Sequence, residues 1–281
     1  MIILPHFQGV ATKSNINTSF DVNTLSPAIW LDASDSSKLF NATVGGTTPA
    51  DGEMVKRWED KSSNLRHITE STNAPIRKVS VQNGKDIIRF SASTGTRLTA
   101  STAADWKFLH DGATYYVFAI VKYGTSTNSE AGYILIDTCG VASINIGTSI
   151  LYDDRVGIGN NCHRHFTAKG QSGATVVNIF VPNTITPTQF LLHTIKGDSD
   201  AISAANRSFG WVNGLALSYS NLANQAVSSL NPTYPLRVGQ SGLNGTPLEG
   251  DIAELIIVPN EITTQQKNNC ENYLLAKWGI I

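Results

Sequence analysis

The chain has 281 residues, of which 41% are hydrophobic and only 15% charged, with a formal net charge of −1. That length suits one large all-β domain or two small domains. The near-zero charge removes any electrostatic case for nucleic acid or an anionic membrane, and no run approaches the roughly 18 apolar residues of a membrane span.

The opening "MIILPHFQGV" has no basic leader, and its apolar run stops at Pro5, so a secretory signal peptide is not expected. Residues 1–24, including "ATKSNINTSFDVNT", are polar without a sustained period and read as an arm that buries no core of its own. From Leu25 onward, short β-prone runs alternate with turn clusters: "AIWLDAS", "VKRWEDKS", "KDIIRFS", "TYYVFAIVKYG", "GYILIDT", "TSILYDD", "VVNIFVP" and "QFLLHTIKG". In "SFGWVNGLALSYS", Asn213-Gly214 between two apolar runs predicts a tight hairpin. "AADWKFLHDG" predicts one short helical turn, and "PLRVGQ" and "GDIAELIIVP" close the β series. Many strands with little helix predict a two-sheet sandwich or a barrel. In the last segment, Thr263 with Gln266 three residues later fits a capping box. Cys270, Tyr273, Leu274 and Trp278 fall on one helical face, Lys277 lies in the last turn, and Gly279 follows as a stop. An amphipathic C-terminal helix packed on the sandwich is therefore expected. Cys139, Cys162 and Cys270 are odd in number and far apart, which predicts buried thiols rather than a disulfide framework.

Three segments, "LSPAIWLDASDSSKLF", "VKRWEDKSSN" and "NGKDIIRFSASTGTRLTA", together with the closing "LEGDIAELIIVPNEITTQQKNNCENYLLAKWGI", resemble the concanavalin A-like (laminin G-like) jelly-roll domains. The resemblance covers about residues 25–281 and is most specific at the two ends, where a G-x-I-A-E strand leads into a helix ending in YL-x-x-KWG. It implies an all-β fold: a two-sheet antiparallel jelly-roll sandwich with the C-terminal helix. Such domains occur on bacterial surface proteins and on bacteriophage virions. Many bind glycans and some bind calcium, so fold alone does not decide the role.

Glu249-Gly-Asp251-Ile-Ala-Glu254 has the E-x-D-x-x-E form used by β-sandwich glucanases. A retaining glycosidase needs two carboxyl groups about 5–5.5 Å apart. On a regular strand the Cα atoms of Glu249 and Glu254 stand roughly 16 Å apart, with side chains on opposite faces. A bulge, for which Gly250 is the candidate, would change that parity. The apolar Leu255–Val258 run predicts a strand covered on both faces, which favours a structural role for Glu254.

His163 and His165 in "CHRH" supply half of a metal site at most, and the segment reads as a polar loop. Asp153 and Asp154, with Asp198 and Asp200, are acidic turn residues that neighbouring loops could bring together around calcium, the one cofactor the sequence suggests. Tyr115, Tyr116 and Trp211 are candidate sugar-stacking platforms. Trp30, Trp58 and Trp278 are expected in the core.

The expected function is a non-enzymatic bacteriophage virion structural protein, a capsid decoration, fibre or tail component displaying a lectin-like domain toward host glycans. It would be made in the host cytoplasm, carried on the virion, and released on lysis. The N-terminal arm would tether it to other virion proteins, and homo-oligomerisation is expected, with repeated copies raising avidity. The alternatives are an exported adhesin, a glycoside hydrolase using Glu249 and Glu254, and a structural cement without a ligand.

Overall fold

The computed structural model describes residues 20–124, 132–153, 162–181, 186–218, 220–221, 223 and 225–280. In chain order the strands are β1 (Ile29–Asp32), β2 (Leu39–Phe40), β3 (Arg57–Trp58), β4 (Ile68–Thr69), β5 (Ile76–Gln82) and β6 (Lys85–Phe90). Next come β7 (Leu98–Thr99), β8 (Thr114–Tyr123), β9 (Gly132–Asp137), β10 (Ile146–Asp153), β11 (Cys162–Lys169) and β12 (Thr175–Val181). The series ends with β13 (Leu191–Asp198), β14 (Ser208–Val212), β15 (Leu215–Ala216), β16 (Ser220–Asn221), β17 (Arg237–Val238) and β18 (Gly250–Val258), before helix α1 (Thr264–Trp278).

Among the described residues, two antiparallel sheets form a sandwich. One has eight strands in the order β15-β14-β13-β8-β18-β6-β5, with β1 also paired to β18. The other has ten, in the order β16-β12-β11-β10-β9-β17-β7-β4-β3-β2. Inward side chains such as Ile29, Leu31, Trp58, Phe90, Val117, Val121 and Leu255 form the core between the sheets. On the outer face of the eight-stranded sheet, Phe118, Ile120 and Ile256 meet Cys270, Leu274 and Trp278 of α1. Strand β18 is buried at every position, as its apolar residues on both parities predict.

The expected capping box is formed: Thr263 accepts from Gln266 N, and Gln266 accepts from Thr263 N. Gly279 closes α1 in the left-handed conformation. Asn213 and Gly214 both have positive φ between β14 and β15, the requirement of a type I′ hairpin. The short turn over Ala104–Leu109 is a 3₁₀ helix. The three cysteines are buried.

Two expectations change. The "CHRH" segment is not a polar loop but the start of β11, with His163 and His165 buried toward the other sheet. The arm's last residues also belong to the folded unit. Phe20 and Val22 pack, with Leu25 of the expected domain, on the outer core beneath α1, and Phe20 lies 6.3 Å from the Tyr273 ring. Residues 1–19 of the expected arm lie outside the described residues.

Candidate functional site

The closing strand departs from regular pairing at one point. Against β8, Ile252 pairs with Val121 and Glu254 with Ile120, so Ala253 is a bulge. Its carbonyl accepts from Ala33 N, where β1 takes over from β6 along the same edge of β18. The bulge therefore falls at Ala253 and not at Gly250. It reverses the parity expected for the string, placing Asp251 and Glu254 together on the outer face and Ile252 inward.

Sharing a face does not bring these carboxylates into one site. Glu254 is enclosed beneath α1, where it accepts from Trp30 Nε1 at 2.8 Å, Trp278 Nε1 at 2.7 Å and Lys277 Nζ at 2.7 Å. Burial, with Asp32 nearby, holds Glu254 above the usual carboxylate range despite Lys277. Burial also opposes ionisation of Asp32, but Lys277 and Lys61 more than reverse that and hold its pKa below the ordinary value. Glu254 is thus the centre of a network joining β1, β18 and α1.

Asp251 faces a different space. It receives Arg89 Nε at 2.7 Å, Arg89 Nη2 at 3.1 Å and Lys122 Nζ at 2.5 Å. This ion-paired cluster floors a groove across the outer face, just past the C-terminal end of α1. One section of about 470 Å³ is lined by Asn213, Gln189, Phe190, Lys122 and Ile280. The next, about 340 Å³, shares Lys122 and Thr188 with it and adds Arg89, Glu249 and Asp251. A third, about 430 Å³, shares Arg89, Phe90 and Glu249 and ends among Met54, Thr72 and Thr94. Phe190 is half-buried on the outer core, with Lys122 Nζ 5.2 Å from its ring centroid. Glu249 is half-buried and accepts from Ala92 N at 2.8 Å. The groove therefore offers one aromatic face, amides, hydroxyls and a charge-balanced cluster, a chemistry suited to a polar ligand with apolar patches.

Gly250 brings two backbones together at this floor. A Cβ there would sit 2.2 Å from the Lys122 carbonyl oxygen. Gly250→Ala is expected to cost roughly 1–3 kcal/mol through the forced backbone shift, measured by denaturant unfolding against the parent.

The sequence-predicted platforms do not meet. Tyr115 is fully enclosed between the sheets, its hydroxyl 2.7 Å from His165 Nε2, and so presents no face to a sugar. Tyr116 points to the opposite face, is 4% exposed, and donates to Glu261 at 2.9 Å. Trp211 is half-buried on β14 with Lys267 Nζ 4.5 Å from its ring centroid, outside the groove. The calcium candidates also divide. Asp153 is buried at the Tyr123 end of β8, since Tyr152 packs on Tyr123 at 4.9 Å, and it pairs with Arg164 at 3.6 Å. Asp198 pairs in register with Thr114 at the other end of β8, roughly 30 Å away along the strand. One ion cannot bridge them. Asp198 and exposed Asp200 are neighbours, and burial together with Asp200 raises the Asp198 pKa. Asp154 lies outside the described residues. Among the described residues, no three His, Cys, Asp or Glu side chains are grouped to hold a metal ion.

The histidines instead make a polar interior. His163 Nδ1 and His193 Nδ1 are 3.3 Å apart, and His165 Nδ1 is 2.7 Å from Ser208 Oγ. Burial pushes the His163 pKa down to about 4, that of His165 down to about 3, and that of His193 well below its ordinary value. Sequence reasoning missed Phe190, Lys122 and Arg89 and read Asn213 only as a hairpin residue; strand order is what assembles them.

No protein-family model matches the chain, and no curated protein matches it. Similar solved structures exist. The botulinum neurotoxin serotype D binding domain aligns with a TM-score of 0.56 and 12% identity, over 91% of this chain and 54% of that one. A GH54 α-L-arabinofuranosidase gives a TM-score of 0.56 and 13% identity, over 90% of this chain and 63% of that one. The receptor binding domain of botulinum neurotoxin mosaic serotype C/D gives 0.55 and 10%, over 87% and 50% respectively. The chain thus spans less than two thirds of the length of these structures, and the likeness is one of β-sandwich fold.

Proposed function

We propose that the chain is a non-enzymatic glycan-binding β-sandwich module that takes its ligand in the groove past the end of α1. The observation that carries this reading is the groove itself, in which the Phe190 ring lies beside the Arg89–Asp251–Lys122 cluster that Glu249 brings to charge balance. Sugars present apolar C–H faces to aromatic rings and hydroxyls to amides and charges, so this set recognises them without catalysis. The fold is shared with toxin binding domains and with part of an arabinofuranosidase, which agrees with the reading at the level of architecture.

The non-enzymatic part rests on the carboxylates. Asp251 is tied to two cations and Glu254 is closed off beneath α1, which leaves Glu249 without an accessible partner for the two-carboxyl mechanism.

A glycan array probed with the multimerised protein tests the proposal. Binding to at least one saccharide is expected, with no reducing-sugar release, and Phe190→Ala is expected to weaken it roughly tenfold through loss of the stacking face. An empty array, or binding indifferent to Phe190→Ala, contradicts the groove as the site; sugar release contradicts the non-enzymatic role.

Display on a bacteriophage virion, with residues 1–24 contributing to attachment, is the finer form of this proposal and rests on the family resemblance. Many weak sites on one particle would then bind by avidity. Proteomics of purified source particles decides it: the chain must co-purify with them, and its absence removes the virion placement.

A further inference from the structure

We infer that the groove takes an extended, uncharged oligosaccharide laid across the strands and held through its internal sugars, rather than a terminal or acidic sugar. This rests on the glycan-binding reading above.

Length is the first argument. Adjacent sections share lining residues and so lie in series across the sheet, and we take them as one trough. It starts at Asn213, just after β14, and ends at Met54, which bridges to Ile76 of β5. Between those ends lie β13, β8, β18 and β6. Five inter-strand steps of about 4.8 Å give a run of roughly 24 Å, room for about four sugar rings end to end. A site for one terminal sugar needs only one of these sections.

Charge is the second argument. Arg89 and Lys122 are the cations on the floor, and both already serve Asp251. With Glu249 beside them, two positive and two negative groups face the trough. A uronic or sialic acid carboxylate would have to displace Asp251 from a bidentate pair and would meet Glu249 as a like charge. A neutral chain meets neither obstacle, because hydroxyls can both donate to the carboxylates and accept from the cations.

The far end of the trough supplies a length-specific probe. Met54 is 44% exposed and far from Phe190, so a change there touches only a ligand long enough to reach it.

The test is calorimetric titration of the full chain with cello-, xylo- and malto-oligosaccharides, each from monosaccharide to hexasaccharide, and with an oligosialic acid series. In at least one neutral series, affinity is expected to rise roughly tenfold or more from disaccharide to tetrasaccharide and then level off. Met54→Arg is expected to weaken the hexasaccharide several-fold more than the disaccharide, and an equal effect on both overturns the inference. Neutral binding that does not depend on length, or tighter binding of the acidic series, overturns this inference while leaving a glycan site in place. Failure of every saccharide to bind overturns it together with the reading on which it rests.

Discussion

Glu254→Ala is expected to lower the unfolding free energy by roughly 3–5 kcal/mol, the usual cost of removing one partner from a buried charge network. Four side chains converge on that carboxylate: Trp30, Trp278, Lys277 and Tyr273. Trp30 and Trp278 each lose the acceptor of a buried indole N–H. Lys277, 2.7 Å away, keeps only Asp32 as an acidic partner at 2.8 Å. Tyr273 and Lys61 sit in the same network, through Glu254 and Asp32 respectively. Since the acid joins β1, β18 and α1, its loss weakens the docking of the helix and not only one contact. Urea unfolding measures the change, with saccharide binding to the folded fraction as the second readout. A loss below about 1 kcal/mol would mean that the network is a surface-like pair, and catalytic selection rather than architecture would then need to explain this residue.

The second large effect is a loss of stability in mild acid. His163, His165 and His193 are held neutral by burial, two of them with pKa values of about 4 and about 3. In the unfolded chain each returns to about 6.5. As pH falls below that value, the unfolded state takes up protons that the folded state refuses, so stability is full above about pH 6.5 and declines toward the folded pKa values. Between pH 6.5 and pH 5 each such histidine removes up to about 2 kcal/mol. Asp137 and Glu254, raised by burial, bind protons in the folded state and offset part of this decline. Unfolding free energies for the parent and His193→Leu at these two pH values isolate the effect. The variant should lose about 2 kcal/mol less than the parent over the interval, whatever its stability at neutral pH. Equal losses would show that His193 is charged or solvated in the native state.

These interior histidines also show where sequence reasoning stops. The strand pattern, the Asn213-Gly214 hairpin, the Thr263–Gln266 capping box and the Cys270–Leu274–Trp278 stripe are local signals, and local signals were enough for the sandwich and its helix. In β11 the inward face carries His163, His165 and Thr167, so polar composition suggested solvent where the structure has the interior. Tyr115 and Tyr116 are adjacent on a strand covered on both faces, and neither can serve as an open platform. The bulge at Ala253 has no glycine to announce it; it arises where β6 gives way to β1 along β18. The groove was hidden for a related reason. Asn213, Phe190, Lys122, Arg89 and Met54 come from five separate segments, and only the order of strands in the sheet aligns them.

The most direct test of the glycan site is a crystal structure of the protein with the tightest-binding neutral oligosaccharide. The account predicts consecutive sugar rings crossing the strands, one against Phe190 and others over Lys122, Asp251 and Glu249. Saccharide density elsewhere on the molecule, with this groove empty, would contradict it.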